Sequence, residues 1–333
     1  MMAAVEMIEI RRGAFVESVH RGHAVICDAS GDIVAAWGDP EKVILPRSSA
    51  KMIQALPLVE SGAADAAGLT SEQLALACAS HNGAAIHTGR VARWLGDLGL
   101  AEGDLRCGAQ IPDDPEASAE LIRSAGAPCQ LHNNCSGKHA GFLTLSRHLG
   151  AGPEYVAPDH PVQRAIRAAW EEVTQETSPG FAIDGCSAPN FASSLHGMAR
   201  AMAGFATARA GNGPRQDAQA RLVAAMMAHP DLVAGEGRAC TDLMRALGGA
   251  GAVKTGAEAC FVAILPGLGL GVALKIEDGS FRASNAAIAA ILVQLGLLDA
   301  DHPAALRHMT PRILNRRGVD TGQLRPVPGV FGL

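Results

Sequence analysis

An α+β fold is predicted, a three-layer αβα arrangement in which helices cover both faces of one antiparallel sheet. Three observations predict it. Strand-like apolar runs lie near both ends of the 333-residue chain, the middle from about residue 48 to residue 250 reads as helical, and short polar turn clusters separate the strand candidates. Strands at both ends with a long helical insertion result when both termini join one sheet. The expectation is therefore a single interleaved domain over 1–333.

From the N-terminus, residues 5 to 39 read as strands, with His23–Cys27 and Ile33–Trp37 bracketing the turn cluster Asp28-Ala29-Ser30-Gly31-Asp32. After Pro46, the segment Ser48–Glu60 carries Met52, Ile53, Leu56 and Val59 at spacings of three and four, predicting one helix with one buried face. Thr70-Ser71-Glu72-Gln73 has the form of a capping box opening a helix through Leu74 to Ala79. Further helices are expected over His87–Leu98, Glu116–Ser124, Pro161–Val173 and Gln216–Met227. Ala259–Leu265 and Leu268–Ile276 read as strands, Glu277-Asp278-Gly279-Ser280 as a turn, and about Asn285 to Leu298 as a final helix. Ala210–Arg215 and the tail Pro326–Leu333 read as loops, and no internal repeat is present.

Composition narrows the function classes. The net charge is −5 and no stretch concentrates Lys or Arg, which argues against nucleic acid or an anionic membrane as partner. Residues 1–22 intersperse Glu6, Glu9, Arg11, Arg12 and Glu17 among short apolar runs, unlike a signal peptide, and no uninterrupted apolar span could cross a bilayer. A cytoplasmic protein is expected, with its eight cysteines reduced and mostly buried.

Only five of the 28 Lys and Arg residues are Lys: Lys42, Lys51, Lys138, Lys254 and Lys275. A chain that favours Arg for charge keeps Lys where an amine can lose its proton and act as a base. Lys51 closes Ser48-Ser49-Ala50-Lys51, where helical spacing puts Ser48 and Lys51 on one face. Ser80-His81-Asn82 and Lys254-Thr255-Gly256 follow in the order used by penicillin-recognising serine hydrolases, although the step from Ser48 to Ser80 is short for them. Lys138 lies in Asn133-Asn134-Cys135-Ser136-Gly137-Lys138-His139, and Cys186 in Asp184-Gly185-Cys186-Ser187. Residue chemistry alone favours two buried cysteines there over a metal site.

Taken together, Pro46–Lys51, Gln54–Ala63, Ala77–His81, Asn133–Gly141, Asp184–Cys186 and Lys254–Glu258 resemble the rhizobial-type, class 3 L-asparaginases of the asparaginase II family, over nearly the whole chain. The resemblance implies a fold similar to serine β-lactamases and glutaminases, hydrolysis of L-asparagine to L-aspartate and ammonia, and a homodimer. It implies two Ser-Lys tandems, Ser48 with Lys51 and Ser80 with Lys254, as the catalytic set. It also implies zinc held by Cys135, Lys138 and Cys186, supporting substrate placement rather than generating the nucleophile. Arg47, His81, His139 and Asp184 are the expected substrate-binding residues, Arg47 because a guanidinium suits a carboxylate. The chain departs from the family pattern at Met52-Ile53, Ala84-Ala85 and Ala259. Two other readings are a glutaminase or other serine amidohydrolase, and a zinc-holding ligand-binding protein without turnover.

Overall fold

In the computed structural model, which describes residues 2–332, strands from both ends of the chain build one sheet. The N-terminal segment supplies β1 (Val5–Arg12), β2 (Phe15–Cys27) and β3 (Ile33–Trp37). The C-terminal segment supplies β4 (Ala252–Gly256), β5 (Cys260–Leu265), β6 (Leu270–Ile276), β7 (Arg312–Leu314) and β8 (Asp320–Pro326). The strand order is β7-β8-β1-β2-β6-β5-β4, with β3 also paired to β2, and all pairings in this sheet are antiparallel. β2 is 13 residues long, enough to hold β1 along Phe15–Gly22 and β3 along Ala24–Cys27, while β6 pairs with Gly22–Cys27.

This sheet belongs to a first compact unit formed by residues up to Ser49, Ser194–Thr207 and Asp242 onward. Helices Leu195–Thr207 and Phe281–Gln294 pack against it. Successive strand residues point to opposite faces, so the burial of every residue of β5 means that both faces are covered. The α+β class and the antiparallel pairing are thus as expected. The turn Asp28–Asp32 closes as read, with Asp28 N–H donating to Asp32 O.

A second compact unit comprises Ala50–Ser193 and Ala208–Thr241 and is mostly helical. Its central helix, Ser136–His148, is buried from Ser136 to Ser146. Helices Leu56–Glu60, Ser71–Ala77, Ala85–Asp97 and Pro161–Thr174 surround it. Gly137 makes this packing possible: a Cβ there would lie 2.5 Å from the Leu76 carbonyl oxygen, closer than real atoms approach. The capping box at Thr70 forms, Gln73 accepting from the Thr70 N–H at 2.8 Å.

Several segments differ from expectation. The helix expected over Ser48–Glu60 is broken into a 3₁₀ turn, Arg47–Ala50, and short helices Lys51–Gln54 and Leu56–Glu60. Pro57 lacks the N–H that a continuous helix would donate to Ile53. Lys254, expected just before a strand, lies inside β4. β7 and β8 were not expected because Asp320-Thr321-Gly322-Gln323 has no apolar alternation, and the backbone pairing of β8 with β1 and of β7 with β8 does not depend on it.

Candidate active site

In the first unit, Arg47 and Ser48 occupy the 3₁₀ turn after Pro46, both half-buried. Arg47 has φ of 54°, a left-handed conformation that a residue with a Cβ adopts at a cost. Lys254 is fully buried in edge strand β4 and its Nζ donates to the Thr255 carbonyl at 2.7 Å. Gly256 brings that strand onto the serine-bearing turn, since a Cβ on it would stand 2.4 Å from Pro46 O and 2.8 Å from Ser49 N. Ser49 is turned away from chemistry, its hydroxyl donating to Pro46 O at 2.7 Å. The Lys-Thr-Gly sequence therefore combines an amine with the glycine that lets its strand approach the turn carrying Ser48.

In the second unit, Lys51 is fully buried and its Nζ donates to Ser80 Oγ at 2.9 Å and to the Ala79 carbonyl. Ser80 follows the helix Ser71–Ala77 in an extended segment tied down by Ser80 N–H to Val233 O and Asn82 N–H to Ala234 O. Among the described residues no carboxylate forms an ion pair with Lys51, so its bonding partners are a hydroxyl and a carbonyl.

Next to Ser80, His81 is buried and its tautomer is set by its neighbours. Ser136 spends its only hydrogen on Leu131 O at 3.0 Å, so the 2.9 Å contact with His81 Nε2 must be donated by the ring. His81 Nδ1 accepts the Gly83 N–H at 3.2 Å. Burial first, then the stacked His87 and nearby Lys51, hold His81 well below the ordinary histidine value and hence neutral.

Cys135, Lys138 and Cys186 meet from two elements. Cys135 and Lys138 lie at the start of helix Ser136–His148, where Asn133 Oδ1 accepts the Cys135 N–H and Asn133 Nδ2 holds the Cys107 carbonyl. Cys186 lies in the turn between Phe181–Ile183 and Pro189–Phe191, closed by Asp184 N–H to Ala188 O and by Ser187 at φ 69°. Lys138 Nζ donates to Cys186 Sγ at 3.0 Å. The neighbouring Cys135 first, and then the Lys138 charge, pull Cys186 well below the usual thiol range against its burial, giving thiolate character. The proximity of Cys186, with burial, pushes Cys135 up, and its thiol donates to Asn134 Oδ1 at 2.9 Å. Burial alone would lower Lys138, but Cys186, Cys135 and Asp184 raise it above the ordinary lysine value.

His139 is buried beside them, with Nδ1 2.9 Å from the Tyr155 hydroxyl. Burial and the Lys138 charge hold it well below the ordinary histidine value. Sequence reasoning missed Tyr155, Ser136, His87 and Cys107 as members of this neighbourhood. Tyr155 alone carried a signal, as the single tyrosine of the chain. Cys107 is pushed up to about 12, by burial first and then by Cys135 and Cys186.

Among the described residues no cluster of three or more His, Cys, Asp or Glu is placed to hold a metal ion. Two sulfurs and an amine do converge at Lys138, and they fit a zinc ion only if the amine serves as a ligand.

A sequence model of the L-asparaginase II family matches residues 8–326. The chain belongs to the L-asparaginase II family. That membership makes it an amidohydrolase acting on a small molecule. No curated protein matches the chain in sequence. Solved structures to which this family member is similar include Mglu in its native form, at 15% identity over 88% of this chain and 69% of that one, with a TM-score of 0.49. A β-lactamase from Mycobacterium bovis is 14% identical over 82% of this chain and 94% of that one, with a TM-score of 0.37. An octameric penicillin-binding protein homologue from Pyrococcus abyssi is 12% identical over 92% and 84%, with a TM-score of 0.36. Among the described residues no helix is long and apolar enough to cross a membrane.

Proposed function

We propose that the protein is an L-asparaginase that hydrolyses L-asparagine to L-aspartate and ammonia through a serine acyl-enzyme. The observation that carries this reading is the fully buried Lys51 amine bonded to Ser80 Oγ at 2.9 Å, a Ser-Lys pair in a member of an amidohydrolase family. An amine in its neutral form can take a hydroxyl proton and return it to a leaving amine.

Ser48, three positions before Lys51 in the chain, is the nucleophile. Lys51 takes its proton, and the oxygen attacks the side-chain amide carbon. The carbon–nitrogen bond breaks, ammonia leaves with a proton returned through the Ser-Lys pairs, and a β-aspartyl ester remains. Water then attacks the ester, giving aspartate and restoring the serine. Ser80 and Lys254 relay protons, and Arg47 binds the substrate carboxylate. His81, with its Nε2 hydrogen directed at Ser136, holds the segment carrying Ser80, and His139 and Asp184 face the substrate.

Zinc belongs to this proposal, held by Cys135, Lys138 and Cys186. When bound it would supply a positive anchor for a substrate oxygen, while proton transfers stay with the serines and lysines. A homodimer is also part of the reading, to be checked by light scattering.

The test is ammonia release by wild type and Lys51→Met, with asparagine, glutamine and a chromogenic β-lactam assayed side by side. Wild type should release ammonia from asparagine, and the variant should lose at least about a thousandfold in kcat. Undiminished turnover by a folded Lys51→Met removes the assignment. Faster turnover of glutamine, or β-lactam opening, would select the corresponding serine amidohydrolase instead. Stabilisation by asparagine without ammonia release would select the binding protein.

A further inference from the structure

Tyr155 is fully buried, and its hydroxyl oxygen accepts the Arg106 backbone N–H at 2.7 Å. The same oxygen lies 2.9 Å from His139 Nδ1. A phenol carries one hydrogen, and a backbone N–H cannot receive it, so the acceptor in reach is His139 Nδ1. A charged ring, or a neutral ring with its hydrogen on Nδ1, would leave the buried phenol hydrogen with no acceptor. The ring hydrogen of His139 is therefore on Nε2. That Nε2 is buried and, among the described residues, has no hydrogen-bond partner. The ring meanwhile lies within electrostatic reach of Lys51, Cys135, Lys138 and Asp184. A buried donor without a protein partner, within electrostatic reach of the proposed catalytic amine, is a donor available to a ligand.

We propose that Tyr155 is a positioning residue: it fixes His139 as the Nε2–H tautomer, so that the site offers a hydrogen-bond donor to an oxygen of its amide substrate. The proposal rests on the amidohydrolase reading above and adds the orientation of one donor. Tyr155 does not touch the substrate. Its effect passes through the ring, because a histidine released from the phenol can move its hydrogen to Nδ1 and present a lone pair where the substrate also has one.

The tautomer is read directly by nitrogen NMR of protein labelled in histidine, with the His139 signals identified by their loss in His139→Gln. Wild type should show an unprotonated Nδ1 and a protonated Nε2, and Tyr155→Phe should show a mixture. In asparagine hydrolysis Tyr155→Phe should raise KM about tenfold, as for one lost hydrogen bond, and change kcat by less than about twofold. In a His139→Gln background, where the side-chain amide donates whatever residue stands at 155, Tyr155→Phe should add little. A purely structural role would lower the melting temperature without this dependence on residue 139. A wild-type spectrum with the hydrogen on Nδ1 overturns the proposal even where Tyr155→Phe fails to fold, and so does a folded Tyr155→Phe with unchanged KM. Wild type that shows the expected tautomer but hydrolyses no amide would sink the catalytic reading and leave the tautomer assignment standing.

Discussion

Cys186 is subject to opposing forces: burial disfavours its charge, while the neighbouring Cys135 and the Lys138 ammonium favour it, and the latter win. The sulfur is thus prepared as a soft anionic ligand. Cys186→Ser exchanges that thiolate for a hydroxyl that stays protonated. Dialysed wild-type protein should hold about one zinc per chain by elemental mass spectrometry, and Cys186→Ser should lose most of it while keeping its far-ultraviolet dichroism. Equal zinc in both proteins would remove this residue from the ligand set.

At the scale of elements, one tight contact and one left-handed turn can each be tested by a single carbon atom. Gly137→Ala would put a Cβ against Leu76 O and force helices Ser136–His148 and Ser71–Ala77 apart. A loss of about 1–3 kcal/mol in urea unfolding is expected. The reverse holds between β4 and β5, where Glu258 and Ala259 have φ of 58° and 56° in succession. Ala259, a point of departure from the family pattern, sits where glycine is at ease. Ala259→Gly should stabilise the protein by about 1 kcal/mol, and a destabilised variant would mean that the left-handed turn is not kept in solution.

For the whole molecule, acid sensitivity follows from buried neutral histidines. His81 and His87 are fully buried, and burial is the largest cause lowering both below their ordinary value. In the unfolded chain they titrate near about 6.5. Below that pH the unfolded state binds the extra protons, so stability is full above about 6.5 and falls as the pH drops towards the folded values. The expected loss from pH 7.5 to 5.5, measured by urea unfolding, is up to about 1.4 kcal/mol for each histidine, with most of it below about pH 6.5. A flat profile over that window would mean that both rings are already charged or exposed.

The sequence by itself determined the α+β class, the helical middle, the turn after Cys27 and the Thr70 capping box, because apolar period, capping chemistry and turn residues act over a few neighbouring positions. It also marked Lys51, Lys138 and Lys254, whose rarity in an arginine-rich chain sets them apart. Tertiary structure decided what local spacing cannot carry. Lys51 bonds Ser80, 29 residues away, Lys138 meets Cys186 across 48, and Tyr155 orients His139 across 16. Such pairings depend on which buried groups must share one another's hydrogens once water is gone, and that is settled only when distant segments pack together.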